Sequence, residues 1–393
     1  MMTLLPNERK TAKYQPFSLF VGIMCAATNI SQMSVLIETG ITRYVAMPVW
    51  VLLATVCVMR GAVLRARNAF WVLGLGLAFA MFYLLSMAIG NNPGGSALPY
   101  PIMLSLFVFT VGLLAGRELQ AEDMKRVCDW YAVSAVVVAV EVFSQYVVTS
   151  DLTNVVYAYG SKNSTSQILL TALVIFFLFW ARDKSKGKRL FGWGAIVLLT
   201  ATLLGIKSRA TIIALPFLLI WMILGSNVPK RVKRVAIIFI TASAIVLMVG
   251  DNFDSFVNNI IFANRDGANL NALSSGRVDQ WARFPDEFME APLFGHGKME
   301  RESLILVALL EYGAIGGSII FLLAASPMIW GWRYLDRKHE LFLLLMFLAF
   351  SYLLNGVFEQ LAPFGPGVKC YFLWFLFGVL AASPETVKNS TNE

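Results

Sequence analysis

Hydrophobic residues run along this chain in long unbroken blocks, separated by short polar joints. Twelve blocks stand out, at about 17–37, 41–59, 69–89, 99–116, 127–148, 165–181, 190–206, 210–225, 234–250, 303–332, 340–358 and 367–382. Most are near the roughly 20 apolar residues that an α-helix needs to cross a bilayer. The apolar residues are continuous rather than alternating, which excludes a transmembrane β-barrel. The expected architecture is therefore an all-α polytopic membrane protein of about twelve transmembrane helices, with residues 1–393 forming one membrane domain. The tenth block leaves room for a short helix ahead of its span. No cleavable signal peptide is expected, because the first block is of spanning length and lacks a small-residue cleavage site. One joint breaks the rhythm: from Asp251 to Glu302 the chain stays polar for about fifty residues.

Composition agrees with the pattern. Hydrophobic residues make up 58% of the chain and charged residues 14%, with a mean hydropathy of +0.67. Soluble domains are nearer a quarter charged. The net charge of +8 invites a nucleic-acid reading, but topology explains it better and no nucleic-acid partner is expected. With the N-terminus in the cytoplasm and twelve spans threaded, 22 of the 32 Lys and Arg residues fall in cytoplasmic segments. Joint after joint then satisfies the positive-inside rule. Both termini are expected in the cytoplasm, and the joint at 251–302 on the outer side. Cys25, Cys57, Cys128 and Cys370 all lie within apolar blocks and read as buried small hydrophobes.

The outward cations need a separate reason. Lys207 and Arg209, in the tight turn GIKSRAT, are pinned between two apolar blocks. They read either as residues snorkelling to lipid phosphate or as an anion site. In the long joint, Ser274 and Ser275 look like helix N-caps, and Trp281, Phe284 and Phe288 recur at helical spacing behind them. Arg277 shares a face with Trp281, and Pro285 is expected to kink the helix or start another. The element reads as an interfacial amphipathic helix or as a lid that aims Arg277 at a bound anion; a pyrophosphate would suit its planar fork. APLFGHG, Ala291 to Gly297, marks a fixed turn in which His296 is expected to be structural. Glu141, inside an apolar block with Gln145 one turn on, needs a partner or a wet cavity, and a sugar contact is one reading. Asn91, Asn92, Lys162 and Asn163 sit at outer ends, where glycan contact and turn formation explain them equally well.

The run SGRVDQWARFPDEFMEAPLFGHG followed by ESLILVALLEYGAIGG, with Glu311, Gly313 and Gly316 closing it, resembles the signature region of the O-antigen polymerase and ligase superfamily. The Ser208–Arg209 turn and the segment YGSKNSTSQ are also similar to segments of that superfamily. The resemblance implies a membrane glycosyltransferase of the GT-C class in the bacterial inner membrane, with its active site on the outer face. It would move a glycan from an undecaprenyl pyrophosphate carrier without a metal or other cofactor, and it leaves room for a membrane-bound chain-length regulator as a partner. On that chemistry Arg277 and Arg209 would hold the departing pyrophosphate, helped by Lys207; the candidate substrate contacts are Arg301, Lys162, Asn163 and, from its place inside an apolar block, Glu141.

Ligases of the superfamily carry a His-Asn pair nine residues before the Glu of the closing stretch. Here those positions are Glu302 and Ser303. That departure favours a Wzy-type polymerase over a WaaL-type ligase and makes Glu302 the candidate base, with nearby Arg301 expected to help keep it charged. An N-terminal acid ahead of the tenth helix is the plainer reading of Glu302. A twelve-helix transporter is the alternative from another class, but the chain shows no matched halves.

Overall fold

The computed structural model describes residues 16–64, 68–89, 96–149, 162–181, 183–206, 208–224, 228–248, 276–297, 299, 301–337, 339–365 and 370–383. Among them every regular element is helical. In chain order they are α1 (Pro16–Ile30), α2 (Ser34–Glu38), α3 (Thr42–Val45), α4 (Pro48–Met59), α5 (Phe70–Ala88), α6 (Pro99–Ala115), α7 (Ala121–Thr149) and α8 (Lys162–Ile175), which ends in a π-helical turn at Phe176–Trp180. There follow α9 (Lys186–Ile206), α10 (Arg209–Leu224), α11 (Lys230–Met248), α12 (Arg277–Glu290), α13 (Leu304–Tyr334), α14 (Glu340–Gly356) and α15 (Tyr371–Ala382).

The protein is an all-α membrane protein. Among the described residues four helices are long and apolar enough to cross a bilayer: α5, α7, α9 and α13. Several shorter apolar helices accompany them. The first two apolar blocks are not single helices. Block 17–37 divides into α1 and α2, and block 41–59 into α3 and α4. Polar side chains anchor the break: Thr42 Oγ1 donates to Ser31 O at 2.6 Å, and Ser34 is bonded to Glu141. Pro48, which cannot continue a helix from within, opens α4.

Helices approach closely where side chains are absent. On the α6–α15 contact, a Cβ on Gly112 would lie 2.4 Å from Phe375 O, and one on Gly378 would lie 2.2 Å from Phe109 O. Small residues at such crossings let backbones meet, and dispersion between the helices does the rest. Phe109 and Phe377 close the contact with ring centroids 4.6 Å apart. Leu77, Leu190, Val197, Leu224 and Met248 are exposed on the outside of the bundle, as side chains facing lipid should be. The polar residues go inward: Gln167 and Thr171 of α8 and Ser351 and Asn355 of α14 are fully buried against one another. All four cysteines are buried and free.

Candidate functional site

The site forms at the end of the bundle where α12 lies against the start of α13 and the end of α14. Ser274 and Ser275 lie outside the described residues. The residue capping α12 is Gly276, whose φ of +81° is a conformation that L side chains rarely adopt. α12 continues through Pro285 to Glu290 as one helix, with no second helix starting there. Trp281, Phe284 and Phe288 form the expected row, with successive ring centroids 6.1 and 5.6 Å apart. No residue of α12 is fully buried, so the helix rests on the bundle rather than in it.

Arg277, in the first turn of α12, carries the central contacts. Its Nη2 lies 2.7 Å from Glu302 Oε2 and donates to Phe358 O at 3.1 Å. Its Nε is buried without a hydrogen-bond partner. The side chain of Arg277 is 21% exposed and that of Glu302 50%, so the carboxylate is the open member of the pair. Gln280, one turn along α12, fixes the backbone of the acid by accepting from Glu302 N at 3.3 Å. Arg301 Nη2 pairs with Glu287 Oε2 at 2.6 Å, and the cation in direct contact with Glu302 is Arg277. Ser303, not Glu302, caps α13, with its Oγ accepting from Ile305 N at 3.3 Å.

The turn APLFGHG and the stretch ending in Glu311, Gly313 and Gly316 interlock backbone to backbone. His296 N donates to Leu310 O at 2.7 Å, Gly297 N to Glu311 O at 3.2 Å and Ala314 N to Pro292 O at 2.7 Å. Gly313 (φ +65°, ψ −170°) breaks the helical path of α13 to admit the turn. A Cβ on Gly313 would lie 2.4 Å from Leu293 C, and one on Gly295 would lie 2.4 Å from Glu311 C. His296 is structural: its Nε2 donates to Glu287 O at 2.6 Å, at the end of α12. Glu311 is buried and committed. Its Oε1 accepts from Met299 N at 3.0 Å, and its Oε2 accepts from Ser96 Oγ. These bonds fix the segment that presents Arg301 and Glu302.

The other expected residues are less gathered. Arg209 opens α10, and Lys162 and Asn163 open α8; only their backbones are described. Lys207, Asn91, Asn92 and Lys298 lie outside the described residues. Glu141 has partners of its own: Ser34 through its N and Oγ, and Gln145 Nε2 at 2.8 Å. These bonds secure α2 against α7.

Sequence reasoning missed the strut beneath the site. Ser166 Oγ of α8 lies 2.9 Å from Thr211 Oγ1 of α10, and Thr211 lies 3.2 Å from Ser208 Oγ, beside Arg209. The next residue of α8, Gln167, accepts through Oε1 from Asn355 Nδ2 of α14 at 2.8 Å. Asn355 stands three residues before Phe358, whose carbonyl accepts from Arg277. One turn of α8 thus ties the Arg209 turn and the acceptor of Arg277 to a common support. The available signal was two amides, Gln167 and Asn355, at apolar-block positions. Phe358 acts through its carbonyl, which has no signature in sequence.

Chemically the arrangement offers a cation, an exposed carboxylate in contact with it, and an amphipathic cover. Residues 194–314 match the family model Wzy_C, described as O-antigen ligase. The match runs from α9 into α13, includes Arg209, Arg277, Glu302, Glu311 and Gly313, and supports the resemblance to the O-antigen polymerase and ligase superfamily. Among curated proteins no match to the chain was found.

Proposed function

We propose, from the match of residues 194–314 to the O-antigen ligase family, that this protein polymerises lipid-linked oligosaccharide repeat units into O-antigen or a related surface polysaccharide. The donor glycan would be carried on undecaprenyl pyrophosphate, and the reaction would take place at the outer face of the bacterial inner membrane. The observation that carries the reading is the 2.7 Å contact between Arg277 Nη2 and Glu302 Oε2. It joins the two groups the transfer needs. The acceptor hydroxyl oxygen forms a bond to the anomeric carbon of the donor. The bond from that carbon to the pyrophosphate oxygen breaks, and its electron pair leaves with the pyrophosphate. The hydroxyl proton passes to the Glu302 carboxylate.

In the resting protein Glu302 itself occupies Arg277. An arriving pyrophosphate competes for the guanidinium and frees the carboxylate to act as base. Arg277 Nε, buried and without a partner, supplies a second donor for a two-oxygen grip on phosphate. Arg209, which opens α10, and Lys207, two residues before it in sequence, would add positive charge to the same leaving group. The ligase reading, transfer of finished polymer to lipid A core, is favoured by the description of the matched family. The polymerase reading is favoured by Glu302 and Ser303 standing where ligases carry His-Asn.

A gel of surface glycan separates these outcomes. Cells lacking the protein are compared with cells complemented by wild type or by Arg277→Ala. A product stalled at one repeat, in the deletion and in Arg277→Ala alike, is the expected result. Bare lipid A core with long polymer left on the carrier would identify a ligase. A normal ladder from Arg277→Ala would remove Arg277 from the chemistry.

A further inference from the structure

The end of the bundle opposite α12 holds a second built feature. The start of α7, the π turn of α8, and the starts of α9, α11 and α14 surround an open cavity of about 560 Å³. Phe179 and Trp180 form its aromatic wall, on a π-helical turn of the kind that recurs at functional sites.

Its carboxylates are engaged. Asp129 accepts from Trp180 Nε1 at 2.5 Å and from Lys188 Nζ at 3.3 Å. Glu122 and Glu340 both hold Lys125, at 3.1 and 3.3 Å. Asp183 Oδ1 accepts from Ser185 N at 2.8 Å. Two exposed cations on the wall, Lys184 and Arg231, have no such partner among the described residues.

The helix starts around the mouth differ in charge: those of α7 and α14 carry the acids Glu122, Asp123 and Glu340, as helix N-termini prefer, and those of α9 and α11 do not. The first turns of α9 and α11 carry Lys186, Lys188, Arg189, Lys230, Arg231 and Lys233, and neither holds an acid. A helix N-terminus bears partial positive charge, so cations there are destabilising and a bound anion is stabilising. The positive-inside rule accounts for the side of the membrane these residues choose. Of these six, Lys188 and Arg231 line the cavity, and the rule does not account for Arg231 standing with Lys184 on an aromatic-walled cavity without a carboxylate partner among the described residues.

We infer that this cavity binds a phosphate ester: the headgroup of an anionic phospholipid, or a soluble phosphorylated compound of similar chemistry. Arg231 and Lys184 grip the phosphate, and Trp180 and Phe179 pack against the organic body. A bare phosphate ion would leave most of the cavity unfilled. The inference is independent of the proposed transferase chemistry, since the cavity lies at the other end of the bundle.

The test uses the full chain, purified in detergent and stripped of lipid. Retention of added phosphatidylglycerol is followed by native mass spectrometry, and glycerol 3-phosphate is titrated in a thermal-unfolding assay. The Lys184→Gln/Arg231→Gln double variant, at exposed positions, is compared with Arg333→Gln, an exposed cation outside the cavity. Loss of two charge-assisted contacts is expected to weaken binding by at least about tenfold in the double variant, with no change in Arg333→Gln. That loss for phosphatidylglycerol identifies a lipid site, and for glycerol 3-phosphate a site for a soluble ester. Binding of neither compound, or equal binding by wild type and double variant, overturns the inference. So does an equal loss in Arg333→Gln, which would mean diffuse attraction without a site.

Discussion

Replacing Gly313 by alanine should damage both the fold and the site. The residue sits at φ +65° and ψ −170°, a conformation that is essentially reserved for glycine and costs other residues about 1–3 kcal/mol. The new Cβ would lie 2.4 Å from Leu293 C and O and 2.6 Å from Phe294 N. These are backbone atoms, which cannot rotate out of the way. Relief requires the turn to move, at a further cost of about 1–3 kcal/mol on the scale of overpacked cores. The sum, about 2–6 kcal/mol, is a large share of the roughly 5–15 kcal/mol that holds a domain together. The same movement would loosen the bonds from His296 N, Gly297 N and Met299 N to Leu310 and Glu311, upstream of Glu302. A displacement of about 1 Å at a reacting group can cost about 10²-fold in rate. Thermal unfolding in detergent and the surface-glycan ladder read the two effects separately. Gly74→Ala in α5 and Gly194→Ala in α9 are the controls, because an added Cβ at either meets nothing within 4 Å. Both should be neutral or slightly stabilising, as Gly→Ala within a helix usually is. If Gly313→Ala unfolds with the controls and makes a full ladder, the interlock does not hold the site.

Further outcomes follow from the same geometry. Glu302→Gln keeps a hydrogen-bonding group near Arg277 but removes the base, so turnover should fall about 10²–10⁴-fold with protein levels unchanged; an unaltered ladder would leave Glu302 as a structural acid. Arg277→Lys preserves charge but not the fork that reaches both Glu302 and Phe358 O, and its polymer yield should lie between wild type and Arg277→Ala. Glu311→Gln places an amide where one oxygen now accepts from Met299 N or from Ser96 Oγ, and should lower stability by about 1–3 kcal/mol in thermal unfolding. Asn355→Leu strands the Oε1 of buried Gln167 at a similar cost, and adding Gln167→Leu should recover part of the loss; strictly additive losses would mean the two amides are uncoupled.

The aromatic row of α12 and the structural role of His296 were legible because each depends on residues close in the chain. Trp281, Phe284 and Phe288 meet because helical spacing puts them on one side. The division of the first two apolar blocks was not legible, since it depends on Ser34 meeting Glu141 and Thr42 meeting Ser31. Composition favours a spanning helix there, and tertiary hydrogen bonds break it. Glu311 was visible as part of a motif, but its partly buried bond to Ser96 joins residues 215 positions apart.

Apolar block length and the distribution of Lys and Arg were enough to establish an all-helical membrane protein and to pick out the polar joint carrying Arg277 and Glu302. Hydrophobicity and charge act through composition, which any chain displays before it folds. Which acid meets which arginine was decided only in three dimensions. Arg301 adjoins Glu302 in sequence, yet it pairs with Glu287 near the end of α12, a partner that sequence neighbourhood does not select. Arg277, twenty-five positions earlier, reaches Glu302 because α12 lies across the start of α13. Its second acceptor is the carbonyl of Phe358, a group every residue carries, so only the packing of α14 beneath α12 selects it.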